Sequence, residues 1–404
     1  MFVPGGRKGV GGWRSRLSDT LLVRQLTIVV PYLASDPEQE SALRTLPPAL
    51  AQVVERGTVK KLSPMEQSVT PEAAWLGIAP GEAQVPQGPL TVAALRHDPP
   101  DGSVHFHLTL CSADAAGRLE MVTEAPSDEE VRIVFQAAEQ LRTGALTPLA
   151  GEGTDHALVW EDGSIEMSSE APTAVVGEPL LAHAPQGDGE KTLRRFIDDA
   201  VNLLSALELN HVRTEEGRPP LNCLWPWGQG FRPDLPNLAL QRGDVAHVES
   251  GSMRMEGLSR LVGYTHGDRA AFGRGLKIDY ARMRDGATGG RPTLALLHNV
   301  EEMQRHGRLD EIAWSLERLS EAVVEPLLGD QGEHPFMLRL AAPGGCASLG
   351  GSPDRASSTG LALEYDSRRP GQGRAPFDER ALDDPRLPAV HAWEFVRPGL
   401  SGAY

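Results

Sequence analysis

Two groups of side chains in this sequence have types and spacings that could do chemistry. In EEMQRH, Glu302 and His306 stand four residues apart. On a helix that spacing sets a carboxylate and an imidazole side by side, able to share one metal ion. An exposed helix face carrying Glu and His is the commoner meaning of the same pattern. Asn210 and Arg213 follow a long apolar-striped segment. There a guanidinium could grip a carboxylate or a phosphate through two parallel hydrogen bonds. The alternative is structural, with Asn as a cap and Arg in a surface ion pair. The GATGG run at residues 286–290 offers backbone N–H groups able to cradle an anion, or simply glycines for positive φ. No GxSxG elbow, HExxH, P-loop or GxGxxG before a helix is present, and His105, His107 and His247 are scattered.

The elements that must position these groups belong to a chain of 404 residues, long enough for one large domain with an insertion or for two domains. Hydrophobic residues at 40% and charged residues at 23% describe a globular rather than a disordered chain. The 55 acidic and 39 basic side chains leave a net charge of -16, which disfavours a nucleic-acid track or an anionic membrane surface. A small anion could still use local arginines. Cys111, Cys223 and Cys346 are odd in number and far apart in sequence, so neither a disulfide framework nor a CxxC metal knuckle is expected. The apolar stretch 21–34 behind the basic start is interrupted by Arg24, Gln25 and Pro31, and nothing approaches the roughly 20 apolar residues of a membrane span. A cytoplasmic location is expected.

Hydrophobic periodicity places the elements. LTIVVPYL (26–33) reads as a buried strand, and residues 46–56 as a helix stopped by Gly57 at C′. SVHFHLTLC (103–111) alternates like a strand, and Ser127 with Glu130 forms a capping box before Val131, Val134, Ala138 and Leu141 on one helical face. HALVWED (156–162) and TAVVGEPLL (173–181) add short strands. Leu193, Phe196, Ile197, Ala200, Val201, Leu204 and Leu207 stripe the clearest helix in the chain. The strands PLNCLWPWGQG (220–230), TLALLHNV (293–300) and HPFMLRLAA (334–342), with a helix from Asp310 towards Leu328, continue an alternation that argues for a mostly parallel α/β sheet flanked by helices. Residues 99–187 form a smaller inserted α+β domain, leaving 1–98 and 188–404 as a discontinuous core. After Gly344 the chain loosens into a loop until Pro376.

Three blocks resemble the archaeal-type, cofactor-independent (2,3-bisphosphoglycerate-independent) phosphoglycerate mutases of the alkaline phosphatase superfamily. They are TPEAAWLGIAPGEAQVPQGPLTVAAL (70–95), NHVRTEEGRPPLNCLWPWGQGFRP (210–233), and GLSRLVGY with DGATGG (257–264, 285–290). The second is the most specific, with Asn210, Arg213, Gly217, Pro220, Asn222, Trp227, Gly228 and Gly230 in register. The resemblance implies an alkaline phosphatase-like core interrupted by a smaller domain. It also implies a mechanism in which two divalent metals, usually manganese, activate a serine that takes the phosphoryl group of a phosphoglycerate and returns it to the neighbouring hydroxyl.

The chain departs from that pattern where the chemistry resides. The first-strand metal aspartate falls on Tyr32, with Leu33 beside it, and the nucleophilic serine on Thr70, which before Pro71 also reads as a helix cap. The family's GRGP arginine falls on Gln87. Its DEAGH motif falls on Glu302 and His306, another histidine on His298, and its DH pair on Gly344 and Gly345. The last histidine has no counterpart near Ser358. The expectation is a catalytically inactive homologue without a cofactor, binding a phosphorylated small acid or a protein partner. The alternative is an active mutase or phosphatase, dependent on manganese or another divalent metal, with a site rebuilt from Thr70, Glu302, His306 and acids such as Asp36 or Asp310.

Overall fold

A computed structural model of the chain describes residues 23–30, 46–63, 70–79, 85–272, 278–297, 300, 303, 308–343, 360–369, 371, 381 and 384–397. In chain order, β1 (Arg24–Val29) and β2 (Thr58–Leu62) precede β3 (Val104–Ala113), β4 (Leu119–Glu120), β5 (Leu146–Glu152), β6 (Asp155–Trp160), β7 (Met167–Ser168), β8 (Gln186–Gly187) and β9 (Cys223–Gly230). Then follow β10 (His247–Ser250), β11 (Thr265–His266), β12 (Thr293–Leu296), β13 (Phe336–Pro343), β14 (Gly360–Asp366) and β15 (Ala389–Val390).

The larger sheet has eight strands in the order β11-β10-β12-β1-β13-β14-β2-β15. Strands β11 to β13 in that order run parallel, and β14 is antiparallel to both its neighbours. Both faces are covered. Leu26, Ile28, Leu338 and Leu340 point into one core with the helices Pro48–Arg56 and Leu309–Leu319. Val29, Val248, Leu294 and Ala341 point into the other, against the helices Pro71–Trp75, Met253–Leu261 and Ala392–Val396. Burial on both faces explains why these strands read as continuous apolar runs.

The smaller, five-stranded sheet is antiparallel, ordered β4-β3-β6-β5 with β9 against the other edge of β3. The helices Asp128–Ala138 and Glu190–Ser205 lay their apolar stripes on it. The Ser127 capping box is present: Ser127 Oγ accepts from Glu130 N at 3.3 Å, and Glu130 Oε2 accepts from Ser127 N at 2.8 Å.

The packing of this smaller body therefore runs through Gly230. PLNCLWPWGQG joins β3 rather than the parallel sheet, because Trp225 and Leu224 find their apolar neighbours there. TAVVGEPLL is a 3-10 turn at Pro172–Ala174 and a short helix at Leu180–His183, not a strand. The GATGG run closes the helix Tyr280–Thr288, and Gly289 N donates to Asp285 O at 2.9 Å. Gly57 is extended at φ -87 rather than left-handed, and its lack of a side chain makes room for Leu363. The helix from Leu309 passes through a π turn at Ser320–Val324 just before Pro326, whose missing N–H breaks the regular ladder. Within the stretch after Gly344 expected to be loop, GLALEYD is the buried strand β14.

One short helix lies between the sheets. Gln87–Ala94 packs on Met253–Leu261 and on β3, and glycines make the approach close enough. A methyl group on Gly257 would overlap the Leu90 carbonyl, and one on Gly88 the His105 carbonyl. Gly257→Ala should therefore cost about 1–3 kcal/mol in a urea titration, and an unchanged midpoint would mean that the two helices can part freely.

His156 supplies a second test. It is buried in the smaller core, where Nδ1 accepts from Gly151 N at 2.8 Å and Nε2 donates to Gly153 O at 3.0 Å, which defines a neutral ring. Burial pulls its pKa from the ordinary imidazole value down to about 3. The unfolded chain thus binds this proton first as pH falls. The contribution is complete above the unfolded value and is lost as pH drops below it, at about 1.4 kcal/mol per pH unit. In His156→Gln the stability measured between pH 6.5 and 4.5 should fall less steeply by that amount; identical slopes would assign the acid sensitivity to other groups.

Candidate functional site

In open α/β sheets ligands bind beyond the carboxyl ends of the strands, and here β12, β1 and β13 are adjacent and parallel. Tyr32 follows β1 in sequence, His298, Glu302 and His306 follow β12, and Gly344 and Gly345 follow β13. The residues themselves, together with Leu33, Asp36 and Ser358, lie outside the described residues. Asp310 is described and exposed, in the first turn of Leu309–Leu319.

Thr70 is the N-cap of Pro71–Trp75. Its Oγ1 accepts from Ala73 N at 3.3 Å, and its own hydroxyl proton remains available, since a cap uses only the oxygen. In the first turn Glu72 pairs with Arg254 Nε at 3.1 Å, and Arg254 Nη1 also donates to the Gln87 amide oxygen. The position expected to carry the family's clamping arginine thus holds a neutral amide that itself accepts from an arginine of another helix. The described residues converge no three His, Cys, Asp or Glu ligand atoms here. The single such group among them, Asp330, Glu333 and His334, sits before the amino end of β13, and Asp330 is engaged by Arg24 at 2.9 Å. Among the described residues the donor set near Thr70 does not fit two cations.

Asn210 and Arg213 lie on the helix Glu208–Glu215, within the smaller body. Asn210 Nδ2 donates to the carbonyls of Leu204 at 2.8 Å and Leu221 at 3.1 Å, and its Oδ1 accepts from Leu221 N at 2.7 Å. Asn222 repeats the device, accepting from Ala113 N at 2.7 Å and donating to Ser205 Oγ at 3.0 Å. Arg213 is 1% exposed. Its Nε donates to Pro219 O at 2.9 Å and its Nη1 to Glu130 Oε1 at 2.6 Å, and Arg218 reaches the same oxygen at 3.2 Å. Burial works to raise the Glu130 carboxyl, but hydrogen bonds from Ser127 and Arg213 outweigh it and hold the group below the ordinary glutamate range. An internal carboxylate thus occupies Nη1 of the guanidinium, while Nη2 is buried without a hydrogen-bond partner.

Sequence reasoning missed a cavity of about 430 Å³ at the other end of the Gln87–Ala94 helix, lined in part by Arg96, Glu152, Glu256, His266, Arg269 and Arg282. Arg269 bridges Glu256 at 2.8 Å and Glu152 at 2.9 Å, and Arg282 holds the buried Glu249 at 2.9 Å. Burial keeps the His266 pKa below its ordinary value. No motif could have found this cluster, because its members come from separate elements at irregular spacing.

No family model matches the chain. Its similarity to individual proteins is consistent in kind. A probable 2,3-bisphosphoglycerate-independent phosphoglycerate mutase of Geobacter sulfurreducens is 27% identical over 170 residues, 38% of this chain and 43% of that protein. The 2,3-bisphosphoglycerate-independent phosphoglycerate mutase of Methanosarcina mazei is 21% identical over 378 residues, 88% of this chain and 89% of its own length. The solved cofactor-independent phosphoglycerate mutase of Thermoplasma acidophilum superposes with a TM-score of 0.58 at 17% identity, covering 92% of this chain and 97% of that one. The chain is thus similar, over most of its length, to cofactor-independent phosphoglycerate mutases. Its fold is alkaline phosphatase-like. Against the Geobacter mutase the chain spans less than half of the relative's length, so the match in sequence is strong only in part. Among the described residues no helix is long and apolar enough to cross a membrane.

A buried pair broken on one side leaves an uncompensated charge. Arg213→Ala should therefore destabilise the protein by about 3 kcal/mol or more in guanidinium chloride. A residue reserved for ligand would leave stability within about 0.5 kcal/mol, and that result would return Arg213 to the candidate site.

Proposed function

We propose that this mutase-like fold has lost phosphoryl transfer and acts as a cytoplasmic binding module for a phosphorylated small acid or a protein partner. The observation that carries this reading is the Arg213–Glu130 pair, buried at 2.6 Å, which commits the most specific block of family resemblance to the chain's own architecture. Gln87 adds to it, being neutral and already held by Arg254. Without a nearby cation the Thr70 hydroxyl has almost no alkoxide at neutral pH.

The second reading is an active mutase or phosphatase with a rebuilt site. Two observations favour it. Thr70 is partly exposed at a helix start with its proton available, and in sequence Glu302 and His306 come after β12. If a divalent cation bound there, it would supply charge neutralisation for phosphate, with Thr70 as the candidate nucleophile.

Both readings meet in one experiment. The purified protein is analysed for bound divalent metal and assayed for interconversion of 3-phosphoglycerate and 2-phosphoglycerate with added manganese. The expected outcome is no stoichiometric metal and no turnover above a Thr70→Ala control. Stoichiometric metal with turnover abolished in Thr70→Ala would overturn the first reading and establish the second.

A further inference from the structure

Cys111 in β3 and Cys223 in β9 are distant in sequence, yet they are direct partners in the antiparallel register of these strands. Residues so paired have Cα atoms about 4.5–5.5 Å apart, inside the roughly 4.4–6.8 Å range a disulfide spans. Partners directly opposite point to the same face of a sheet. Both side chains belong to the same apolar cluster, and both are fully buried free thiols.

We propose that Cys111 and Cys223 are a modification site, forming an intramolecular disulfide that locks β9 onto β3 when the chain folds in the presence of a disulfide oxidant. With oxidised glutathione, one cysteine thiolate attacks a glutathione sulfur and expels a glutathione thiolate. The second cysteine thiolate then attacks the mixed disulfide and expels the other. One S–S bond breaks and one forms, the two chain sulfurs are oxidised, and the two expelled thiolates carry off the two protons as glutathione thiols.

The surroundings set when this happens. Burial pushes the Cys223 thiol up to about 12 and raises Cys111 as well, so neither is nucleophilic in the closed sheet. Oxidation therefore requires the strands to be open, as they are during folding, after which closure shields the bond from reductants. The lock joins the two edges of the segment that carries the Ser127 capping box, the Glu190–Ser205 helix and the Asn210–Arg213 staple. It also lies on the strand whose end, Gly228, abuts Gln87.

The test uses the full chain with Cys346→Ser, to exclude exchange with the third thiol. It is unfolded in guanidinium chloride, refolded in excess oxidised glutathione, quenched with iodoacetamide and mapped by peptide mass spectrometry. The expected product is lighter by two hydrogens, joins the Cys111 and Cys223 peptides, and melts roughly 5 °C or more above its reduced form. The folded protein in the same buffer, never unfolded, should cross-link many times more slowly. Refolded protein in which both cysteines are found alkylated, or capped by glutathione without a link, would overturn the proposal. Introduced into the chain that keeps Cys346, Cys111→Ser and Cys223→Ser should each leave no intramolecular link, and a link to Cys346 formed in either would place the bond elsewhere.

Discussion

The structure depends on how closely the short helix Gln87–Ala94 can be held between two sheets. Its neighbours reach it through backbone rather than side chain. Gly88 lies on the His105 carbonyl, Gly257 lies on the Leu90 carbonyl, and Gly228, at φ +62, meets Gln87 at 2.9 Å from where its Cβ would be. Polar contacts then fix the rotation of the helix. Thr91 Oγ1 donates to Gln87 O at 3.0 Å and accepts from His107 Nδ1 at 2.8 Å, while His107 Nε2 faces Asp155 at 3.3 Å. The three blocks that resemble the mutases are the helix itself, the β9 turn against it and the helix packed across it. The resemblance is thus concentrated in one packing joint, which explains how a fold can be shared at 17% identity.

Charge in this protein is largely internal. Arg213 is held by Glu130, Arg254 by Glu72, Arg269 by Glu256 and Glu152, and Arg282 by Glu249. With 55 acidic residues against 39 basic ones, an arginine in a cleft is more often met by a carboxylate of the chain than left for a ligand. An incoming phosphate must then displace an intramolecular partner that carries no cost of association, so charge complementarity read from arginines alone overstates anion binding.

Legibility in the sequence followed burial. β1, β12 and β13, covered on both faces, announce themselves as apolar runs, and the Ser127–Glu130 box marks its helix by chemistry alone. β14 was hidden because GLALEYD sits among Gly, Ser and Arg, and only pairing with β13 and β2 makes it a strand. GATGG reads as a turn from its glycines, but tertiary packing of Tyr280 and Met283 carries the helix into it as far as Thr288. β9 was seen as a strand and given to the wrong sheet, since an apolar run names no partner. The pairing of Cys111 with Cys223 was invisible for the same reason. Of the candidate site, the sequence could name positions such as Thr70 and Arg213 but not what holds them. Glu130 stands near Arg213 in no motif.

Scaffold and chemistry in such a fold are separable, and the reason is electrostatic. Carboxylates gathered around two cations are stabilised by them and destabilised by one another, so a chain that no longer binds metal gains nothing from keeping them. Of the positions that the resemblance assigns to that chemistry, Tyr32, Thr70 and Gln87 are neutral. The sheet does not register their replacement, because its two cores lie on the faces of the strands and not beyond their ends: Leu26, Ile28, Leu338 and Leu340 on one side, Val29, Leu294 and Ala341 on the other. The adjacent parallel order β12-β1-β13 rests on those two cores. A fold built this way can outlast its catalytic residues.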